Sequence, residues 1–476
     1  MNRRRRNRTS DGAGGRRGLS LASYPIPDYV ILPRMFPGSH FLMAVGLGLL
    51  GLVLNVAALP PAVPPAVADD TVFLETLQRT AWDFFWQEAN PTNGLIPDRT
   101  QANSKSSIAA VGFGLSAMPI GVEHGWVTRG RAATRVVTTL RTFAHGPQGP
   151  AADGIIGYRG WFYHFLEMDT ARRAWKCELS SIDTALLLAG VLDAARYFES
   201  PTDPQEAEIR ALASELVDGV DYEWMRNSGE TLTMGWHPEK GFIRTRWEGY
   251  NEAMILYLLA LGAPKNPLPP QAWVAWTKSY TWQTNYGQVY VAFPHLFAHQ
   301  YSHCWVDFRG ITDAVMSARG LDYFENSRRA TLAQQAYAIA NPQRHPGYGA
   351  RVWGFTACDG PDGYGARGAP PPDHEDGTIA PTAAGGSLPF APEICLPTLR
   401  EFYARWGSEL WTQYGFRDAF NVRSNWYASD VLGIDQGPIL LMAENHRSGA
   451  TWRRMRQSPV IQRGLAAAGF HPTPPK

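Results

Sequence analysis

Two short stretches of this 476-residue chain set carboxylates among aromatic rings. The first reads Trp175-Lys176-Cys177-Glu178-Leu179-Ser180-Ser181-Ile182-Asp183, with Glu178 at the mouth of a strongly apolar helical pattern. The second reads Gly241-Phe242-Ile243-Arg244-Thr245-Arg246-Trp247-Glu248-Gly249-Tyr250-Asn251-Glu252. Breaking a glycosidic bond takes one carboxylic acid to protonate the leaving oxygen and a second carboxylate to activate water or attack the sugar. Flat aromatic faces suit the apolar faces of pyranose rings. Glu178, Asp183, Glu248 and Glu252 are therefore the candidate catalytic carboxylates.

Each has a plainer explanation. A first-turn acid such as Glu178 complements the helix dipole, which lowers its pKa, so a general acid there needs burial or a neighbouring carboxylate. Asp183 lies five residues on, about 140° round a helix, and need not share the face of Glu178. Glu248 and Glu252 are four apart and would stack on one helical face, where Arg244 and Arg246 could neutralise them.

Supporting polar and aromatic groups are Asp98, Arg99, Arg159, Trp161, Tyr163, His164, Trp236, Arg246 and Tyr250, expected to bind substrate. The turn-rich run Thr356 to Tyr364 adds Asp359 and Asp362. It lacks the spacing of an EF-hand, and Asp359 is expected to bind sugar hydroxyls. His295, His299 and His303 recur every four residues without an acidic partner at zincin spacing, so no metal site is expected. A GxSxG elbow, a P-loop and an HExxH motif are all missing from the sequence.

The elements that would position these groups are mainly helical. Apolar periodicity predicts helices over 71–88, 107–124, 128–143, 178–199, 204–225, 247–262, 312–341, 396–406, 437–446 and 451–468. Residues 154–170 read as a hairpin or ordered loop, and 288–293 as the clearest strand. Helices of this length joined by Gly/Pro/aromatic loops suggest antiparallel pairs and an all-α fold. The long loop 351–391 is of the kind that serves a site.

Composition narrows the function. The chain has 17 Trp, 19 Tyr and 21 Phe, more than core filling ordinarily uses, which fits a sugar-binding cleft. Its net charge of +1 hides eight arginines against two acids in residues 1–68, leaving a mildly acidic remainder that argues against a nucleic-acid partner. Phe41 to Leu54 is a 14-residue apolar run followed by Ala66-Val67-Ala68. That pattern predicts a signal peptide cleaved after Ala68, with the uncleaved anchor as alternative, and hence a periplasmic or secreted protein of one domain over 69–476. Membrane contact is expected only through that segment. The four cysteines show no metal or CxxC spacing.

Several ordered motifs together resemble the glycoamylase-like proteins. They are Gly235-Trp236-His237-Pro238-Glu239-Lys240-Gly241-Phe242, Arg246 to Glu252, Trp353 to Gly360, Pro381 to Ser387, and Gly433-Ile434-Asp435-Gln436-Gly437-Pro438. That family includes the bacterial β-1,2-glucanases of glycoside hydrolase family 144 and resembles a domain of cyclic β-1,2-glucan synthase. The resemblance spans about residues 72–465. It implies an (α/α)6 barrel, no required cofactor, and β-1,2-glucan or a related β-glucoside as substrate, with Gln436 among the binding residues. By motif position Glu178 and Glu248 resemble the family's essential acidic pair, with Asp183 or Glu252 as alternatives for either role. Hydrolysis of another glycan, such as an α-glucan or wall polysaccharide, and glycan binding without catalysis are the competing readings.

Overall fold

The computed structural model describes residues 69–473; the expected signal segment and its cleavage site fall outside these. Ten helices of eight residues or more frame the described chain. They are α1 (Asp70–Gln87), α2 (Ile108–Glu123), α3 (Arg129–Ala144), α4 (Ser181–Tyr197), α5 (Pro204–Asp218), α6 (Met254–Leu261), α7 (Tyr323–Ala340), α8 (Pro392–Leu410), α9 (Gly433–Arg447) and α10 (Pro459–Ala467). Start signals are local: Asp69, Ser107, Thr128, Ser180, Asp203 and Asp322 each accept a backbone N–H in the first turn of the helix they open. The fold is mostly helical, with short two- and three-stranded antiparallel pieces in the connections.

The helices fall into two kinds. α2, α4 and α6 are buried nearly all round, and so is most of α9. α1, α3 and α5 bury only one side, which packs inward against them. α2 and α4 run closest together because Gly112 and Gly190 face each other's backbone. A Cβ on Gly112 would sit 2.3 Å from the Leu186 carbonyl oxygen, and one on Gly190 would sit 2.0 Å from that of Gly112.

Several expected helices are shorter than their apolar pattern. The 178–199 helix starts at Ser181 because Leu179–Ser180 pairs as a strand with Gly235–Trp236. The 247–262 helix starts at Met254, since Gly249 takes a left-handed φ of +73°. The 312–341 stretch breaks at Gly320, and the 451–468 stretch breaks where Ser458 precedes Pro459. The 204–225 stretch breaks after Asp218 into α5 and a five-residue helix, Tyr222–Arg226. The expected strand at 288–293 forms over Gln288–Val291, paired with Trp282–Asn285. All four cysteines are buried free thiols.

Candidate active site

The N-terminal ends of α2, α4 and α9, together with Glu252 just before α6, converge on one cavity of about 360 Å³. Its lining holds five carboxylates, Asp98, Glu178, Asp183, Glu252 and Asp435, together with Arg99 and His164. Aromatic rings of Phe165, Trp175, Phe297, Tyr301 and Tyr364 complete it. Trp175 and Tyr364 keep 46% and 44% of their surface exposed, so their faces remain open to a ligand.

One acidic group is built on the entry to α4. The strand contact that delays this helix leaves Glu178 on an extended stretch, its carbonyl accepting from the His164 backbone N–H at 3.0 Å. His164 Nδ1 lies 2.9 Å from Glu178 Oε1, and its Nε2 lies 3.6 Å from Asp183 Oδ2. The Ser180 hydroxyl caps α4 and also donates to Asp183 Oδ2 at 2.5 Å. Burial disfavours charge on every member of this group. For His164 the facing carboxylates Asp183 and Glu178 outweigh it and raise the imidazole to about 9. For Glu178 burial pushes upward, but the imidazolium wins and holds the carboxyl near 2. Asp183, farther from the ring, stays raised by its burial.

The second group gathers round Arg99. Its Nε contacts Asp98 Oδ2 at 3.0 Å and its Nη1 contacts Asp359 Oδ2 at 2.9 Å. The Asp359 backbone N–H donates to Asp418 Oδ2 at 2.6 Å. Asp418 and Asp435 are both buried, near enough that the charge of each bears on the other. Burial first, then Asp359, pushes Asp418 up to about 8, and burial with Asp418 raises Asp435 well above the carboxylate range. Two buried carboxyls that interact in this way titrate as a pair, and their burial favours keeping a proton on one of them. Tyr301 stands beside Asp435 and Glu252 and donates to the Ile434 carbonyl at 3.3 Å.

Trp175 reaches the rim through a bent loop. Trp175 and Lys176 both adopt left-handed φ, +52° and +59°, which is uncommon outside glycine. Arg173 holds that bend, donating to the Cys177 carbonyl at 2.7 Å, the Lys176 carbonyl at 2.7 Å and Glu239 at 2.7 Å.

Of the residues singled out in the sequence, Glu178, Asp183, Glu252, Asp98, Arg99 and His164 line the cavity, and Asp359 adjoins it through Arg99. The others lie elsewhere. Glu248 is exposed and accepts from the Thr231 hydroxyl at 3.1 Å, because the left-handed Gly249 breaks the helix that would have stacked it on Glu252. Arg246 turns back to Thr231 and the Arg226 carbonyl. Arg159 pairs with Asp221 at the surface, and Trp161 is buried, donating to the Asp221 carbonyl. Tyr163 is buried under the Arg173 guanidinium. Trp236 packs on Tyr158 and Trp224, and Tyr250 packs among Tyr280, Tyr323 and His299. Gln436 is buried in the first turn of α9, donating to the Phe416 carbonyl at 2.9 Å. These eight are held by structural partners and leave no side chain in the cavity lining.

Asp435, Asp418, Trp175, Tyr301 and Tyr364 are site residues that the sequence reading passed over. Asp435 stands in a quoted motif, yet a first-turn acid is too common a helix feature to single out.

A mostly helical chain with an acidic, aromatic-rimmed cavity at the helix N-termini defines a protein built to hold a polar, ring-bearing ligand. The chain belongs to the glycoamylase family. The family model described as "Glycoamylase: Putative glucoamylase" matches residues 244–459. A "putative glucoamylase" structure from Bacteroides uniformis is similar at 31% identity, covering 85% of this chain and 98% of that one, with a TM-score of 0.77. An endo-β-1,2-glucanase from Chitinophaga pinensis, solved with sophorotriose and glucose, is 27% identical over 85% of this chain and 99% of its own, with a TM-score of 0.78. An exo β-1,2-glucooligosaccharide sophorohydrolase (non-reducing end) from Parabacteroides distasonis is 31% identical over 434 residues, 83% of this chain. The chain spans 57% of that relative's length.

Proposed function

We propose that this protein is a glycoside hydrolase that cleaves β-1,2-glucan with two carboxylates. Glu178 delivers the proton to the leaving oxygen, and a carboxylate held by Arg99, from Asp98 or Asp359, activates the water. The observation that carries this reading is the convergence of Glu178 and the Arg99-held carboxylates on one cavity beside the open rings of Trp175 and Tyr364. The β-1,2 linkage is supported by the Chitinophaga and Parabacteroides relatives. Glu252 and Asp435, both in the lining, serve sugar hydroxyls.

The helices are proposed to close into an (α/α)6 toroid, with α2, α4, α6 and α9 inside and α1, α3 and α5 outside; the alternation of all-round and one-sided burial supports this. Export through residues 41–54 with cleavage after Ala68, leaving one catalytic domain over 69–476, rests on the sequence alone. An exported protein whose N-terminal residue is Asp69 would bear it out; retention of the segment would contradict it.

The test of function is incubation with linear β-1,2-glucan beside an α-1,4-glucan. Sophoro-oligosaccharides from the first and nothing from the second are expected. An intact β-1,2-glucan would sink the substrate assignment, and tight binding without cleavage would favour a non-catalytic glycan receptor.

A further inference from the structure

A carboxylate held near 2 by a cation is a poor acid on its own, and the geometry round His164 resolves this. The inference rests on the reading that Glu178 protonates the leaving group. We propose that His164 is a positioning residue that stores the proton Glu178 delivers, with Asp183 holding the other side of its ring.

The ring has little room to do anything else. It is buried, its plane stacks on Phe165 at 4.0 Å and 14°, and the backbone on both sides is zipped, His164 N–H to the Glu178 carbonyl and the His164 carbonyl to the Ile108 N–H. One carboxylate faces each nitrogen, Glu178 at 2.9 Å and Asp183 at 3.6 Å. A neutral imidazole presents an N–H to one of them, whereas an imidazolium presents one to each, as a hydrogen bond to Glu178 and as a charge facing Asp183. Asp98 adds a third negative group toward the ring, and His237 is the further titratable group facing Glu178.

The proton count closes. The Nδ1 proton of His164 passes to Glu178, which hands it on to the glycosidic oxygen, and the C–O bond breaks with its electron pair going to that oxygen. Water adds to the anomeric carbon and releases its proton to the Arg99-held carboxylate. One proton then moves back from that carboxylate through solvent to the imidazole, restoring the resting state. Glu178 and His164 therefore titrate as one unit with shared macroscopic values.

The experiment compares wild type, His164→Gln and Glu178→Gln on linear β-1,2-glucan and on nitrophenyl β-sophoroside, whose leaving group needs no proton. His164→Gln should lower kcat on glucan about 100-fold, the scale of general-acid catalysis, with KM changed by less than about threefold. Its alkaline limb should move to lower pH, and its rate on the nitrophenyl substrate should stay near wild type. Equal loss on both substrates, or an unmoved alkaline limb, would overturn the proposal. Nitrogen NMR of the wild-type His164 ring gives a variant-free reading: an imidazolium at pH 7 is expected, and a neutral ring contradicts the proposal. Full glucan activity in Glu178→Gln would instead remove the reading beneath it.

Discussion

The two acidic groups that meet at the cavity are both largely withdrawn from solvent and opposite in the way their charges are set. Round His164, burial pushes carboxyls up, yet Glu178 ends near 2 because an imidazolium faces it at 2.9 Å. Round Arg99, the guanidinium is taken by Asp98 and Asp359, so burial and the Asp359 carboxylate carry Asp418 up to about 8. Depth sets the size of the penalty, and the nearest unshared charge sets its direction. One cavity thus joins an imidazole whose charge is favoured to a carboxyl, Asp435, whose charge its burial and its neighbour Asp418 disfavour.

The largest effect that would break this comparison lies in the carboxylates that Arg99 holds. Replacing the water-activating one of Asp98 and Asp359 by Asn should lower kcat on glucan by about 10²-fold or more. Steady-state rates within about threefold of wild type in both variants would remove the Arg99 group from catalysis. A smaller effect concerns stability. Asp418 has its folded value raised from 3.8 to about 8, so its contribution to stability is full below about pH 4 and is lost as pH rises toward 8. Asp418→Asn, neutral at all pH, should therefore melt higher than wild type at pH 8, with the difference vanishing toward pH 4. Thermal melts showing the reverse trend would mean that the pair does not keep a proton. The smallest effect is at the rim. Trp175→Ala removes one open ring worth ~1 kcal/mol and should raise KM about fivefold with kcat nearly unchanged. An unchanged KM would take Trp175 out of the substrate path.

Much of this was legible before the fold. Apolar periodicity places the first three helices to within a residue or two, though 247–262 and 312–341 start well late, and Glu178, Asp183 and Glu252 could be picked out by their aromatic settings. The failures share a cause. Glu248 and Glu252 look equivalent at helical spacing, but Gly249 at φ +73° turns one to solvent and leaves the other in the cavity. Trp161, Tyr163, Trp236 and Tyr250 have the composition of a sugar site and are packing residues, because a ring's role depends on which side of the backbone stays open. Asp418 lies in Arg417-Asp418-Ala419-Phe420, a run with no local signal, and acquires its character only from Asp359 and Asp435 across the fold.

The most direct test of the central claim sets Glu178→Gln beside Glu248→Gln on linear β-1,2-glucan, following product release over time. Glu178→Gln should lose about 10³-fold or more in kcat, while Glu248→Gln should stay within about twofold of wild type. A dead Glu248→Gln beside an active Glu178→Gln would place the chemistry outside this cavity and contradict the account.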